Sequence, residues 1–168
     1  MAVACYPGTF NPPTVAHLAI AEAALRQCGV DRVELVVSRT PIGKEDVRPS
    51  LEDRLRVLRH VIHGRTWLSL SVTEERHMAD IARGYDVVVM GADKWAQVND
   101  AAFYESAAAR DAAVASLPRV AVAPRGDDPV PGDAVVLEVD MHEVSSTAVR
   151  DGRRDLMLPE AAASGLWD

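Results

Sequence analysis

Apolar residues along this chain follow two alternating rhythms. Short continuous runs, rich in β-branched residues, read as buried strands: Ala2 to Cys5, Arg32 to Ser38, Trp67 to Val72, Asp86 to Met90, Arg119 to Ala123 and Ala134 to Val139. Helical spacing fills the stretches between them. Val15 to Gln27 is Ala-rich, and Leu51 to His63 repeats apolar residues at Leu51, Leu55, Val57, Leu58, Val61 and Ile62. Glu74 to Arg83 reads as a helix stopped by Gly84, and residues 100–116 as one ended before Pro118. Short helices are predicted from Ser146 and from Pro159, and Arg125 to Asp133 is a polar loop. Alternating β and α predicts a single α/β domain over residues 1–168. Its sheet should be open and mostly parallel, with helices on both faces.

Composition narrows the classes. The chain has 168 residues, 48% of them hydrophobic, enough for one sizeable core. No apolar run reaches the ~20 residues of a membrane span. The first residues show no basic region followed by a long apolar stretch, so no signal peptide is expected. Cys5 and Cys28 lack metal-ligand spacing and read as reduced thiols, so a cytoplasmic protein is expected, with no membrane partner. A net charge of −7 argues against nucleic acid as a partner. A small phosphorylated molecule needs only a local basic pocket.

Candidate chemistry gathers where strands run into loops. Tyr6 to Leu18 is a Gly/Pro-rich loop between a strand and a helix, the geometry that puts a helix N-terminus at the carboxyl edge of a parallel sheet. Gly8 permits close backbone approach, Pro12 and Pro13 stiffen the loop, Thr14 suits an N-cap, and His17 falls one turn into the helix. A turn with a cap is the plainer reading. After the second strand, Lys44 lies in a Gly/Pro loop on the same edge, either a solvated lysine or a phosphate clamp. Arg54 could act with it, or be a surface arginine paired with Asp53 or Glu52. After the fourth strand come Gly91, Ala92 and Asp93. Asp93 reads as an N-cap, a pocket residue or both; Trp95 reads as a core residue or a stacking platform. Ser145, Ser146 and Thr147 open a helix with Arg150 one turn on, a cap or an oxyanion-binding group. Arg153 and Arg154 extend the basic patch or, the plainer reading, are solvated.

In order, these segments resemble the nucleotidylyltransferase superfamily of the His-x-Gly-His type. Gly8, Phe10, Pro12, Thr14 and His17 match its first signature, with Ala16 where the family usually has Gly. Ser145-Ser146-Thr147 and Arg150 match its second, and Ser50 to Arg54 looks like the segment that follows the family's lysine. Gly91-Ala92-Asp93 and Leu156 to Ala161 are similar to nicotinate and nicotinamide mononucleotide adenylyltransferases. Thr14 and the Ser50 segment look more like phosphopantetheine adenylyltransferase. A Ser-Tyr-Thr loop, usual after the third strand of bacterial nicotinate mononucleotide enzymes, is replaced by Leu70 to Glu74.

The resemblance implies a Rossmann-like sheet and transfer of a nucleotidyl group from ATP, or from CTP, to a phosphorylated acceptor. It implies catalytic roles for His17, Lys44, Thr14 and Arg150. Nucleotide contacts would come from Gly8, Thr9, Phe10, His17, Gly91, Asp93, Ser145, Ser146, Thr147 and Arg150. Acceptor contacts would come from Thr9, Lys44, Arg54 and Trp95. Mg²⁺ would bridge the triphosphate through phosphate and water oxygens, with no resident metal site. Assembly into a homo-oligomer is common in the family, though no heptad or apolar patch in the sequence indicates one. A non-catalytic nucleotide binder on the same fold is the reading that Ala16 favours. A dinucleotide-binding oxidoreductase lacks its Gly-x-Gly-x-x-Gly.

Overall fold

The structure is a computed structural model. It describes residues 1–44, 46–126, 130, 132–140 and 144–168. Part of the Arg125 to Asp133 loop therefore lies outside the described residues. Six strands form one all-parallel sheet: β1 (Val3–Pro7), β2 (Arg32–Ser38), β3 (Leu68–Thr73), β4 (Val87–Gly91), β5 (Arg119–Ala123) and β6 (Val135–Val136). Their order is β3-β2-β1-β4-β5-β6. The order reverses between β1 and β4, so loops leaving these two strands diverge and open a crevice at their carboxyl ends. This is the expected Rossmann-like arrangement.

Period-two alternation sends neighbouring strand residues to opposite faces. Ala4, Tyr6, Val33, Leu35, Val87 and Val89 pack on one face with α1 (Val15–Gln27) and α2 (Leu51–Ile62). Cys5, Val36, Val88, Met90 and Val122 pack on the other, against α3 (Met78–Ile81) and α4 (Ala92–Val98). Half-buried Val114 of α5 (Ala107–Ala115) borders this second cluster. A third cluster joins Val57 of α2 to Val149 of α6 (Ser146–Arg150), to Ala161 of α7 (Pro159–Ser164) and to Trp167. The cysteines are buried thiols, and burial pushes Cys5 up to about 12. Among the described residues, no helix is long and apolar enough to cross a membrane.

Three elements are shorter than their sequence patterns. The helix predicted over Glu74 to Arg83 starts only at Met78. Its expected first turn is non-helical instead: the Ser38 hydroxyl donates to the Glu75 carbonyl at 2.6 Å, and Arg76 Nε to the Thr40 carbonyl at 3.0 Å. The stretch 100–116 breaks into a 3₁₀ turn, Ala101–Phe103, and α5. Two caps cause the break, because the Asp100 carboxylate accepts from the Ala102 N–H and the Ser106 hydroxyl from the Ala109 N–H. β6 is a short edge strand paired on one side only.

Candidate functional site

The loop from Gly8 to Thr14 connects β1 to α1, and much of the site is tied to it. At its end, Thr14 caps α1 reciprocally with His17. The Thr14 hydroxyl accepts from the His17 N–H at 3.4 Å, and the Thr14 N–H donates to His17 Nδ1 at 2.9 Å. A backbone N–H can only donate, so Nδ1 must be the acceptor. The neutral ring therefore carries its proton on Nε2. Burial, aided by the charge of Lys44, lowers the His17 pKa from 6.5 to about 4. At neutral pH His17 is thus a fixed, uncharged hydrogen-bond donor.

The depressed pKa has a signed consequence for stability. Unfolded His17 takes up a proton below about 6.5, whereas the folded ring resists until about 4. Stability should therefore fall as pH drops through that window, by roughly 3 kcal/mol at most. Urea midpoints from pH 7 to 4 check this, and His17→Ala should flatten the dependence.

Phe10 sets the ring's position. It is 2% exposed, although its φ of 48° is left-handed, a costly conformation for a bulky residue. Packing maintains it. The ring meets His17 edge-on at 5.0 Å between centroids and Tyr6 at 5.6 Å. Gly8 leaves room for that ring, since a Cβ there would lie 3.0 Å from Phe10 Cζ. Gly8→Ala is expected to cost about 1–3 kcal/mol by overpacking, read as a shifted denaturation midpoint.

Cations arrive from three other elements. Lys44, after β2, donates to the Thr9 hydroxyl at 3.0 Å. Arg54 of α2 donates to the Thr9 carbonyl at 2.8 Å and to the Pro49 carbonyl at 3.1 Å. Arg150 of α6 donates to the Asn11 carbonyl at 2.6 Å and to the Thr147 hydroxyl at 3.2 Å. The Ser146 hydroxyl donates to the Pro12 carbonyl at 2.8 Å. Burial, then the charges of Arg150 and Arg54, hold Lys44 below its usual range. Among the described residues, no carboxylate forms an ion pair with Lys44, Arg54 or Arg150. The result is a cluster of positive charge around a neutral donor, suited to a polyanion.

The structure separates several of the alternative readings. Arg54 is not a surface partner of Asp53 or Glu52. It is 4% exposed and braces the loop from beneath, while Asp53 pairs with Arg56. Asp93 does not cap α4, because Gly91 is the N-cap residue; Asp93 is exposed and pairs with Arg125 at 2.8 Å. Trp95 is a core residue, 7% exposed. Ser145 is the N-cap of α6, accepting from the Ala148 N–H. Buried Ala16 lies in the first turn of α1 and is not among the residues lining the neighbouring cleft.

That cleft opens between Gly8, Thr9 and Lys44 on one side and α3 with Lys94, Gln97 and Val98 of α4 on the other. Phe103, Tyr104, His77, Arg76 and Lys94 also line it. None of these five was singled out by sequence. They share no motif, and only the fold brings the segments that follow β3 and β4 to one cleft.

Comparison with known proteins agrees with this geometry. A sequence model described as Cytidylyltransferase-like matches residues 5–152. A probable nicotinate-nucleotide adenylyltransferase of Sulfurimonas denitrificans is 24% identical over 99% of this chain and 93% of its own length. Proteins with the same name from Bordetella pertussis and Salinibacter ruber are 34% and 37% identical over 40% and 38% of this chain. Those two matches span only about a third of each relative, 34% and 33%. With the family model covering nearly all of the sheet and both signature loops, the chain belongs to the cytidylyltransferase-like family.

Proposed function

We propose that this protein transfers a nucleotidyl group from a Mg²⁺–nucleoside triphosphate to a phosphorylated small molecule and releases pyrophosphate. ATP is the proposed donor, and nicotinate mononucleotide or its amide the proposed acceptor. The observation that carries this reading is the convergence of Lys44, Arg54, Arg150 and neutral His17 on one loop at the carboxyl edge of the sheet.

An acceptor phosphate oxygen attacks the α-phosphorus, and the bond to the bridging oxygen of pyrophosphate breaks. No covalent enzyme intermediate is required. The work is alignment and neutralisation of charge. His17 donates through Nε2 to an α-phosphate oxygen, and Thr14 fixes the tautomer that makes this possible. Lys44 neutralises the reacting phosphates, and Arg150 with Thr147 receives the pyrophosphate end. Arg54 holds the Thr9 carbonyl in place. The magnesium is part of the substrate, held chiefly by phosphate and water oxygens.

The adenylyltransferase names of the relatives support the acceptor. Against the alternative of a non-catalytic binder, which Ala16 favours, stand the retained His17, Lys44 and Arg150. The test is pyrophosphate release with Mg²⁺–ATP, and separately Mg²⁺–CTP. The acceptor panel would hold nicotinate mononucleotide, nicotinamide mononucleotide and phosphopantetheine. Release with ATP and one mononucleotide is expected. Release only with phosphopantetheine, or only with CTP, would move the protein to another branch.

A further inference from the structure

We propose that Lys94, on α4, is a specificity-determining residue of the cleft. Together with Arg76 it selects an acceptor bearing a second anionic group, such as a carboxylate, at the end away from the reacting phosphate. This rests on reading the cleft as the acceptor side of the transfer.

The charge pattern of the cleft carries the inference. Lys44, Arg76 and Lys94 all line it, and its described lining residues include no aspartate or glutamate. Most of the remaining wall is apolar, with Val36, Ile42, Met78, Ile81 and Val98 facing the space. Lys44 belongs to the reacting end, bonded to Thr9 of the β1–α1 loop. Lys94 belongs to α4 and, among the described residues, its ammonium bonds a neutral acceptor, Gln97 Oε1, at 2.6 Å. Burial and the nearby charge of Lys44 hold its pKa below the usual lysine range. Arg76 spends Nε on the Thr40 carbonyl.

Two ammonium groups beside one apolar space repel each other, and among the described residues neither has a carboxylate counter-ion. A guest with one phosphate satisfies Lys44 alone, whereas a guest with a second anion satisfies both. Flat walls complete the fit. Tyr104 stacks on His77 at 5.4 Å, and its hydroxyl is anchored on the Val98 carbonyl at 2.8 Å. Partly exposed Phe103 lies beside them. Such surfaces suit a planar ring carrying the acid.

The test is equilibrium binding by calorimetry, without ATP, on the intact protein. Nicotinate mononucleotide and nicotinamide mononucleotide differ only by acid and amide. The wild type should bind the acid at least about 10-fold more tightly, the scale of one charge-assisted hydrogen bond. Lys94→Gln should weaken the acid by about 10- to 100-fold and change the amide by less than about 3-fold. Lys94→Arg should restore most of the preference. Lys94→Met, with its thermal midpoint compared to wild type, serves if the Gln variant does not fold.

Equal weakening of acid and amide, no change in either, or no preference in the wild type would overturn the assignment, as would failure of both to bind. Pyrophosphate release is scored separately. An acid preference that depends on Lys94, without any release, would sink the transfer reading and leave Lys94 as the anion-selecting residue of a binding cleft. Release without the preference would do the reverse.

Discussion

His17→Ala is expected to lower kcat by about 10²- to 10³-fold, with a much smaller change in KM for ATP. That is the usual loss when one preorganised donor to developing charge is removed. The size of the effect follows from how firmly the donor is fixed. Thr14 N–H occupies Nδ1 at 2.9 Å, and Phe10 packs edge-on against the ring at 5.0 Å, so Nε2–H has little freedom. A donor that needs no reorganisation acts mainly in the transition state, which is why kcat should take the loss. The same variant removes half of the α1 capping box, at about 1 kcal/mol. Steady-state kinetics beside a denaturation curve separates the two effects. A kcat loss below about 10-fold in a folded protein would contradict the role given to His17.

Phe10→Ala is expected to destabilise the fold by about 3–5 kcal/mol, the range for deleting a fully buried aromatic ring. More than volume is lost. The ring fills the space above Gly8, supports Tyr6 and presses on His17. The left-handed backbone at residue 10 stays unfavourable in the variant, while the packing that offsets it is gone. Urea denaturation measures the change directly. A loss under about 1 kcal/mol would mean that the loop is held by its hydrogen bonds to Arg54, Arg150 and Ser146 rather than by the ring. Activity should fall as well, because His17 loses the wall that orients it.

The geometry of the candidate site was legible where its residues interact locally. Thr14 and His17 cap a helix three residues apart, and the observed bounds of α1 and β2 match the sequence pattern. The two signature loops are far apart in sequence, yet Arg150 and Ser146 reach the carbonyls of Asn11 and Pro12. Burial of a charged side chain was not legible. Arg54 sits among Leu51, Glu52, Asp53 and Leu55, which look like any amphipathic first turn. Only the fold shows that its side chain points at Thr9. The aromatic wall was missed for a related reason. Trp95 is the ring next to the Gly91-Ala92-Asp93 segment, but it enters the core. Phe103 and Tyr104 reach the cleft through a 3₁₀ turn that the run of alanines concealed. The start of α3 was misplaced because its fate depends on hydrogen bonds to Ser38 and Thr40, on another strand's exit loop.

The most direct test of nucleotidyl transfer follows the phosphates of ATP separately. The protein would be incubated with Mg²⁺ and nicotinate mononucleotide, with radiophosphorus at the α position of ATP in one reaction and at the γ position in another. Label from the α position should enter a dinucleotide, while label from the γ position leaves as pyrophosphate, and both should depend on His17. Transfer of the γ label to the acceptor, or release of γ label as orthophosphate without any dinucleotide, would contradict nucleotidyl transfer.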